Sequence, residues 1–128
     1  MNISTGQYEA LCRLGHTLFN RGQPGRAERI FRGLTTIEPE RGYAWRLLGA
    51  CRSQLGDARG SASAFERALE VNTADAEARV AYAELLAEHS RTQDAISLLE
   101  PLIRGEKTDD EPAPRRRARA LWRRWSGR

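Results

Sequence analysis

Trp45-Arg46-Leu47-Leu48-Gly49 is the stretch of sequence that decides the fold, because its pattern recurs at a fixed distance along the chain. Gly49 lies 34 residues after Gly15 and 34 residues before Ala83. Three further sets of positions follow the same spacing. They are Leu11, Trp45 and Arg79 before the anchor, Ala27, Ser61 and Ala95 after it, and Phe31, Phe65 and Leu99 further on. A period of this length indicates an array of structural repeats.

The pattern resembles the tetratricopeptide (TPR) repeat, in which each unit is a helix-turn-helix pair. The resemblance implies an all-α fold with three tandem repeats in a right-handed superhelix. We assign residues 1–7 to an N-terminal tail and residues 8–109 to a TPR domain, with repeats at 8–41, 42–75 and 76–109. The small residues predict a close contact inside each pair, since helices approach to about 8–10 Å only where facing side chains allow it.

Apolar periodicity predicts six helices, near residues 8–21, 24–37, 42–55, 58–71, 76–89 and 92–104. Asp57 is the predicted N-cap of the fourth helix, and Ser90 or Thr92 is that of the sixth. Pro101 is expected to kink or end the sixth helix. The helices of the repeats are therefore predicted to begin near residue 8 and to end near residue 104.

Residues 110–128 are predicted to finish a linker and then form a helix rich in arginine and tryptophan. Residues 115–128 contain seven arginines and no acidic residue. Ala118, Leu121, Trp122 and Trp125 share one helical face, so we expect a cap on the third repeat with a solvated basic face. Contact of this tail with nucleic-acid phosphates or a membrane surface is the alternative, and we favour the cap.

Composition and motifs favour a binding protein over an enzyme, and we expect no metal and no cofactor. Cys12 and Cys51 fall inside helical patterns and are expected to be small buried side chains. His16 follows Cys12 by one helical turn, which makes a Cys–His pair conceivable. The sequence has no secretory signal and no apolar run of the roughly 18 residues that a membrane span needs, which predicts a cytoplasmic protein.

In a TPR superhelix the first helix of each pair lines a concave groove, at fixed positions relative to the small anchor residue. Here those positions predict a surface for an extended peptide, although part of the set is expected to pack within the array instead. The residues are Glu9, Cys12, His16, Phe19 and Asn20 in the first repeat, Tyr43, Arg46, Ala50, Ser53 and Gln54 in the second, and Glu77, Val80, Glu84, Ala87 and Glu88 in the third.

One TPR subtype is argued against. TPR domains that clamp a C-terminal carboxylate present lysine and asparagine at two groove positions of the first repeat. This chain has Cys12 and His16 at those positions, so binding of the terminal carboxylate of a heat-shock protein is not expected.

The segment Leu48-Gly49-Ala50-Cys51-Arg52 resembles the second repeat of the class II chaperones of bacterial type III secretion systems. That resemblance implies a small cytoplasmic chaperone that holds an apolar or unfolded segment of a translocator-type secretion partner in its groove. It also allows a homodimer, since the family dimerises. A structural TPR scaffold or adaptor in a multiprotein assembly is the alternative, and secretion genes beside this gene would favour the chaperone.

Overall fold

Seven α-helices make up the regular structure of residues 2–127, the part of the chain that the computed structural model describes. They are α1 (Thr5–Asn20), α2 (Pro24–Ile37), α3 (Gly42–Gln54), α4 (Ala58–Val71), α5 (Ala76–Glu88), α6 (Thr92–Ile103) and α7 (Ala113–Trp125). The predicted all-α fold is confirmed. The chain divides into two compact units, Met1–Thr73 and Ala74–Arg128, which we call unit 1 and unit 2.

The start of α1 is set by a capping box. The Gln7 N–H donates to Ser4 Oγ at 3.1 Å, and the Ser4 N–H donates to Gln7 Oε1 at 2.8 Å. These two bonds satisfy backbone donors that a helix start leaves open. As a result α1 begins at Thr5, and residues 5–7 of the predicted tail are helical.

The predicted caps have different outcomes in α4 and α6. Asp57 caps α4 as predicted, since its carboxylate accepts the Gly60 N–H at 2.9 Å. The prediction that Ser90 or Thr92 caps α6 is wrong, because Arg91 occupies the cap position without a side-chain hydrogen bond and Thr92 is already helical. The sequence pattern predicted a cap from the short polar side chains of Ser90 and Thr92. Their hydroxyls do not accept a capping hydrogen bond from the open N–H groups at the start of α6.

Ser90 instead has a backbone role. Its φ is 63°, close to the 76° of Gly22, two repeat lengths earlier, and the 80° of Gly56, one repeat length earlier. The turn inside each helix pair therefore needs a left-handed residue. Glycine adopts that conformation readily, whereas a serine there carries backbone strain.

Glycine–phenylalanine contacts join the two helices of each pair in unit 1. A Cβ atom placed on Gly15 would lie 2.7 Å from Phe31 Cζ, and one placed on Gly49 would lie 2.7 Å from Phe65 Cδ1. Both rings are buried. A side chain at either glycine would therefore push the facing ring out of place, which explains the small anchor residue in the sequence pattern.

In the third pair, in unit 2, different residues form the contact between the two helices. Ala83 and Leu99 occupy the positions of Gly49 and Phe65, and both are fully buried. A leucine takes less space opposite the anchor than a phenyl ring, so the methyl group of alanine is accommodated. Helix α6 includes Pro101 and ends two residues later at Ile103, in agreement with the predicted effect of that proline.

Helix α7 closes unit 2, where it packs against α5 and α6. Ala118 and Leu121 are buried in the same cluster as residues of those two helices, and Trp122 and Trp125 pack half-buried against it. The apolar face that a last repeat leaves open is therefore covered. The predicted cap on the third repeat is confirmed.

The basic face of α7 is not simply solvated, contrary to the prediction. Glu111, in the predicted linker, is only 2% exposed, and its Oε1 accepts the Arg119 Nε–H at 2.8 Å. Arg119 also donates to the carbonyl oxygens of Ile103 and Gly105, at 3.3 Å each. The Glu111–Arg119 ion pair is buried. Together with the two hydrogen bonds to carbonyl oxygens, it connects the segment before α7 to α7 itself.

Two further arginines of α7 bind backbone in the same segment. Arg115 donates to the Arg104 carbonyl oxygen at 2.6 Å, and Arg116 donates to the Glu111 carbonyl oxygen at 2.6 Å. Carbonyls beyond the end of a helix need such donors. The two arginine side chains thus donate hydrogen bonds to backbone carbonyl oxygens between α6 and α7. None of the helices described over residues 2–127 has the length and apolar character needed to cross a bilayer.

Candidate functional site

Three of the predicted groove residues come together where α1 contacts α3 in unit 1. His16 Nδ1 and Tyr43 Oη are joined by a hydrogen bond of 3.1 Å. The guanidinium carbon of Arg46 lies 5.2 Å from the centroid of the Tyr43 ring, within the distance of a cation–π contact. We call His16, Tyr43 and Arg46 the Tyr43 cluster.

The Tyr43 cluster presents an aromatic ring that is still open to solvent. Tyr43 is 36% exposed, and His16 is exposed beside it. Partial burial raises the pKa of the Tyr43 hydroxyl, Cys12 acts in the same direction, and Arg46 opposes both. The hydroxyl therefore stays protonated at neutral pH, so the cluster combines a flat apolar surface with hydrogen-bonding groups and the positive charge of Arg46.

The other predicted groove residues of unit 1 divide into packed and open positions. Cys12 is buried and Phe19 is half-buried, and both contact the core of unit 1. The remaining positions are partly or fully open. Ala50 and Ser53 are half-buried, and Glu9, Asn20 and Gln54 are exposed.

Neither cysteine is an activated nucleophile. Burial raises the pKa of the Cys51 thiol to about 11, with Glu28 acting in the same direction. Burial also raises the pKa of Cys12, against the opposing effects of Tyr8 and Arg41. Both thiols are free and protonated at neutral pH. A thiolate is the form that reacts, and His16 pairs with Tyr43, so the conceivable Cys–His pair is not formed.

Metal binding has no support in the described part of the chain. Across residues 2–127 no group of three or more His, Cys, Asp or Glu side chains is placed to hold an ion. The two histidines bond elsewhere, His16 to Tyr43 and His89 to the Leu85 carbonyl oxygen at 2.9 Å.

In unit 2 three of the five predicted groove residues line a cavity next to α7. Its volume is about 300 Å³, and its walls are Glu77, Val80, Ala81 and Glu84 of α5 with Ala113, Pro114 and Arg117 of α7. Arg117 donates two hydrogen bonds to the Glu84 carboxylate, at 3.0 and 2.8 Å. These bonds and the Glu84 charge raise the pKa of Arg117.

Sequence reasoning missed the part that α7 has in this cavity. The 34-residue register places Val80 and Glu84 on one face of α5, but α7 lies outside the repeats and has no register to place Arg117. Of the other predicted positions in this unit, Ala87 is half-buried against the core, and Glu88 is exposed. The sequence offered no signal for the Glu84–Arg117 pair beyond opposite charge.

Comparison with known proteins identifies the fold. No protein-family model and no curated protein sequence matches the chain. Among solved structures, the type III secretion chaperone SycD of Yersinia enterocolitica, in complex with a peptide of the translocator YopD, has a TM-score of 0.83 at 19% identity, over 98% of this chain and 97% of that chain.

Two other solved structures are similar over almost the whole chain. PcrH of Pseudomonas aeruginosa, in complex with the chaperone binding region of PopD, has a TM-score of 0.82 at 19% identity, over 98% of this chain and 96% of that chain. The TPR2AB domain of yeast Sti1, in a pHSP90 complex, has a TM-score of 0.84 at 14% identity, over 97% of this chain and 48% of that chain. The chain has the TPR fold that its sequence predicts.

Proposed function

We propose that the chain is a non-catalytic chaperone of a bacterial type III secretion system that acts in the cytoplasm. It binds an apolar or unfolded segment of a translocator-type secretion partner at the Tyr43 cluster. The observation that carries the proposal is this cluster, in which an aromatic ring is left 36% exposed between α1 and α3. The similar folds of SycD and PcrH, whose structures contain translocator segments, support it.

The chemistry of the Tyr43 cluster suits an extended segment with an apolar anchor. The exposed Tyr43 ring can cover an apolar side chain of the bound segment. Aromatic residues supply large contact areas at small entropic cost. His16 and the Tyr43 hydroxyl can exchange hydrogen bonds with a peptide backbone, as can the exposed amides of Asn20 and Gln54. Arg46 supplies donors for carbonyl oxygens. The segment would thereby be kept from aggregating before export.

Replacement of Tyr43 and Arg46 by alanine is expected to weaken binding of a translocator-type segment by about tenfold to a hundredfold, the effect of removing a central aromatic–arginine contact. Isothermal titration calorimetry with the full chain and synthetic segments of a candidate translocator measures this. The control is Leu55→Ala with Arg59→Ala, which removes an apolar residue and an arginine from exposed positions. Tyr43→Ala alone guards against loss of folding, which circular dichroism monitors. Equal binding by both double variants contradicts the proposal.

A structural scaffold or adaptor is the second candidate, because the same fold occurs in a TPR domain of yeast Sti1, in a pHSP90 complex. A scaffold that binds through other surfaces would be insensitive to the Tyr43 substitutions. The same titration therefore separates the two functions. Type III secretion genes next to this gene would support the chaperone.

We also propose that a second copy of the chain covers an apolar face of α1. Leu14 is 50% exposed, whereas Leu48, one repeat later, is 1% exposed, and Leu11 is 36% exposed. One SycD structure is described as an alternative dimer.

Leu14→Glu is expected to weaken dimerisation by at least about tenfold, measured as molar mass by light scattering over a concentration series. Leu55→Glu, also at a 50% exposed leucine, is the control. A monomeric wild-type chain at high concentration contradicts the proposal.

A further inference from the structure

A second cavity in unit 2 lies beside α7 and uses none of the predicted peptide-binding residues. Its volume is about 330 Å³, and its lining residues are Ile103, Lys107, Arg119, Trp122 and Arg123. Ile103 and Trp122 are half-buried and pack against the core of unit 2. They give the cavity an apolar interior of a size that suits one aromatic or branched aliphatic side chain.

The cavity wall is held in place by the buried Glu111–Arg119 pair. Arg119 has a side chain only 17% exposed, and Glu111 has one only 1% exposed. The bonds from Arg119 to the carbonyls of Ile103 and Gly105 fix the start of the segment that leads to Lys107, another lining residue. Because the wall is already ordered, a ligand does not have to supply the free energy of ordering it.

Positive charge at the cavity is not fully compensated. Glu111 neutralises Arg119, but Lys107 and Arg123 are exposed and form no ion pair with any residue described in 2–127. The neighbouring part of α7 has no acidic residue. The cavity therefore pairs an apolar interior with two cations that no ion pair within residues 2–127 engages, although the segment of Lys107 also carries the exposed acidic residues Glu106, Asp109 and Asp110.

We propose that this cavity binds a short acidic segment of a partner protein that carries one aromatic or branched apolar side chain. The apolar side chain enters between Ile103 and Trp122, and flanking carboxylates pair with Lys107 and Arg123. A nucleic acid fits less well, because its affinity depends on many phosphate contacts and only two uncompensated cations line the cavity. An apolar interior also adds nothing to phosphate binding.

The test uses the full chain and a blocked peptide of sequence Glu-Asp-Phe-Asp-Glu, with binding followed by isothermal titration calorimetry. Replacing the peptide's phenylalanine with alanine is expected to weaken binding by about tenfold or more, the effect of losing one buried aromatic side chain. Lys107→Ala with Arg123→Ala is expected to weaken it by about fivefold to tenfold. Arg104→Ala with Arg124→Ala, which removes the same charge outside the cavity, is expected to change it less than about twofold.

Trp122→Phe keeps the core filled and separates binding from folding, and it is expected to weaken binding while the unfolding temperature stays near the wild-type value. The proposal would be overturned by no binding of the acidic peptide at millimolar concentration, by equal effects of the two charge-removing variants, or by equal affinity of the phenylalanine and alanine peptides. Tighter binding of a single-stranded oligonucleotide of the same charge, lost in the Lys107 and Arg123 variant, would overturn it in favour of a nucleic-acid site.

Discussion

Arg119→Ala is expected to lower the free energy of unfolding by about 3–5 kcal/mol, because it leaves a buried carboxylate without its main partner. The Glu111 side chain is 1% exposed, and its Oε1 lies 2.8 Å from Arg119 Nε. Arg115 Nε, at 3.4 Å, would be the nearest remaining cation. Glu111 Oε2 has no hydrogen-bond partner even with Arg119 in place. Urea unfolding of the full chain measures the loss.

The control for this prediction is Arg124→Ala, at an exposed arginine of the same helix, which is expected to stay within about 0.5 kcal/mol of wild type. Replacing both partners, with Glu111→Leu and Arg119→Met, is expected to recover most of the loss, since neither buried charge remains. If Arg119→Ala were as mild as Arg124→Ala, the segment before α7 would be a solvated linker after all.

Gly49→Ala is expected to lower the free energy of unfolding by about 1–3 kcal/mol, as overpacking of a core does. Alanine is intrinsically better than glycine inside a helix by about 0.5–1 kcal/mol, so the clash must exceed that gain. It does so because the new Cβ would lie 2.7 Å from two atoms of the buried Phe65 ring. Thermal unfolding followed by circular dichroism measures the change.

A matched control and a rescue sharpen the test at Gly49. Gly33 is also helical but has nothing within 4 Å of an added Cβ, so Gly33→Ala is expected to be neutral or stabilising. Adding Phe65→Leu to Gly49→Ala reproduces the Ala83 and Leu99 pair of unit 2, with a coupling energy of about 1 kcal/mol or more in favour of the double variant. Additive effects, or a Gly49→Ala as mild as Gly33→Ala, would contradict this packing account.

The fold could be predicted from the sequence because the decisive contacts repeat. Gly15 and Gly49 each face a phenylalanine sixteen residues later, so one packing rule appears twice with the same spacing. Ser90 shows where such a rule fails, since a left-handed turn can be made by a residue that patterns assign to capping. Position in the repeat was the better guide to its role.

Helix α7 marks the limit of prediction from the sequence. Its apolar face follows from helical spacing, but the partners of its arginines do not. Glu111 stands in a run of acidic and proline residues that composition assigns to solvent, and its burial depends on Arg119 reaching back across the turn. Contacts outside the repeats have no register, so neither this pair nor the Glu84–Arg117 pair could be foreseen.

The candidate site was predictable in its positions and not in its contacts. The register places His16, Tyr43 and Arg46 on one face, and the structure brings them together. It could not separate exposed from packed members of the set, since the burial of Cys12 and Phe19 depends on how neighbouring helices cover them. Their binding role stays a proposal.

The most direct test of the central claim is an NMR titration of the full chain, carrying ¹³C-labelled aromatic rings and ¹⁵N-labelled backbone, with a translocator-type segment. We expect the ring signals of Tyr43 and His16 to shift with the same dissociation constant that calorimetry gives, and the Tyr43→Ala variant to lose the shifts of its neighbours. Binding that shifts residues of α2 and α4 while both ring signals stay unchanged would contradict it.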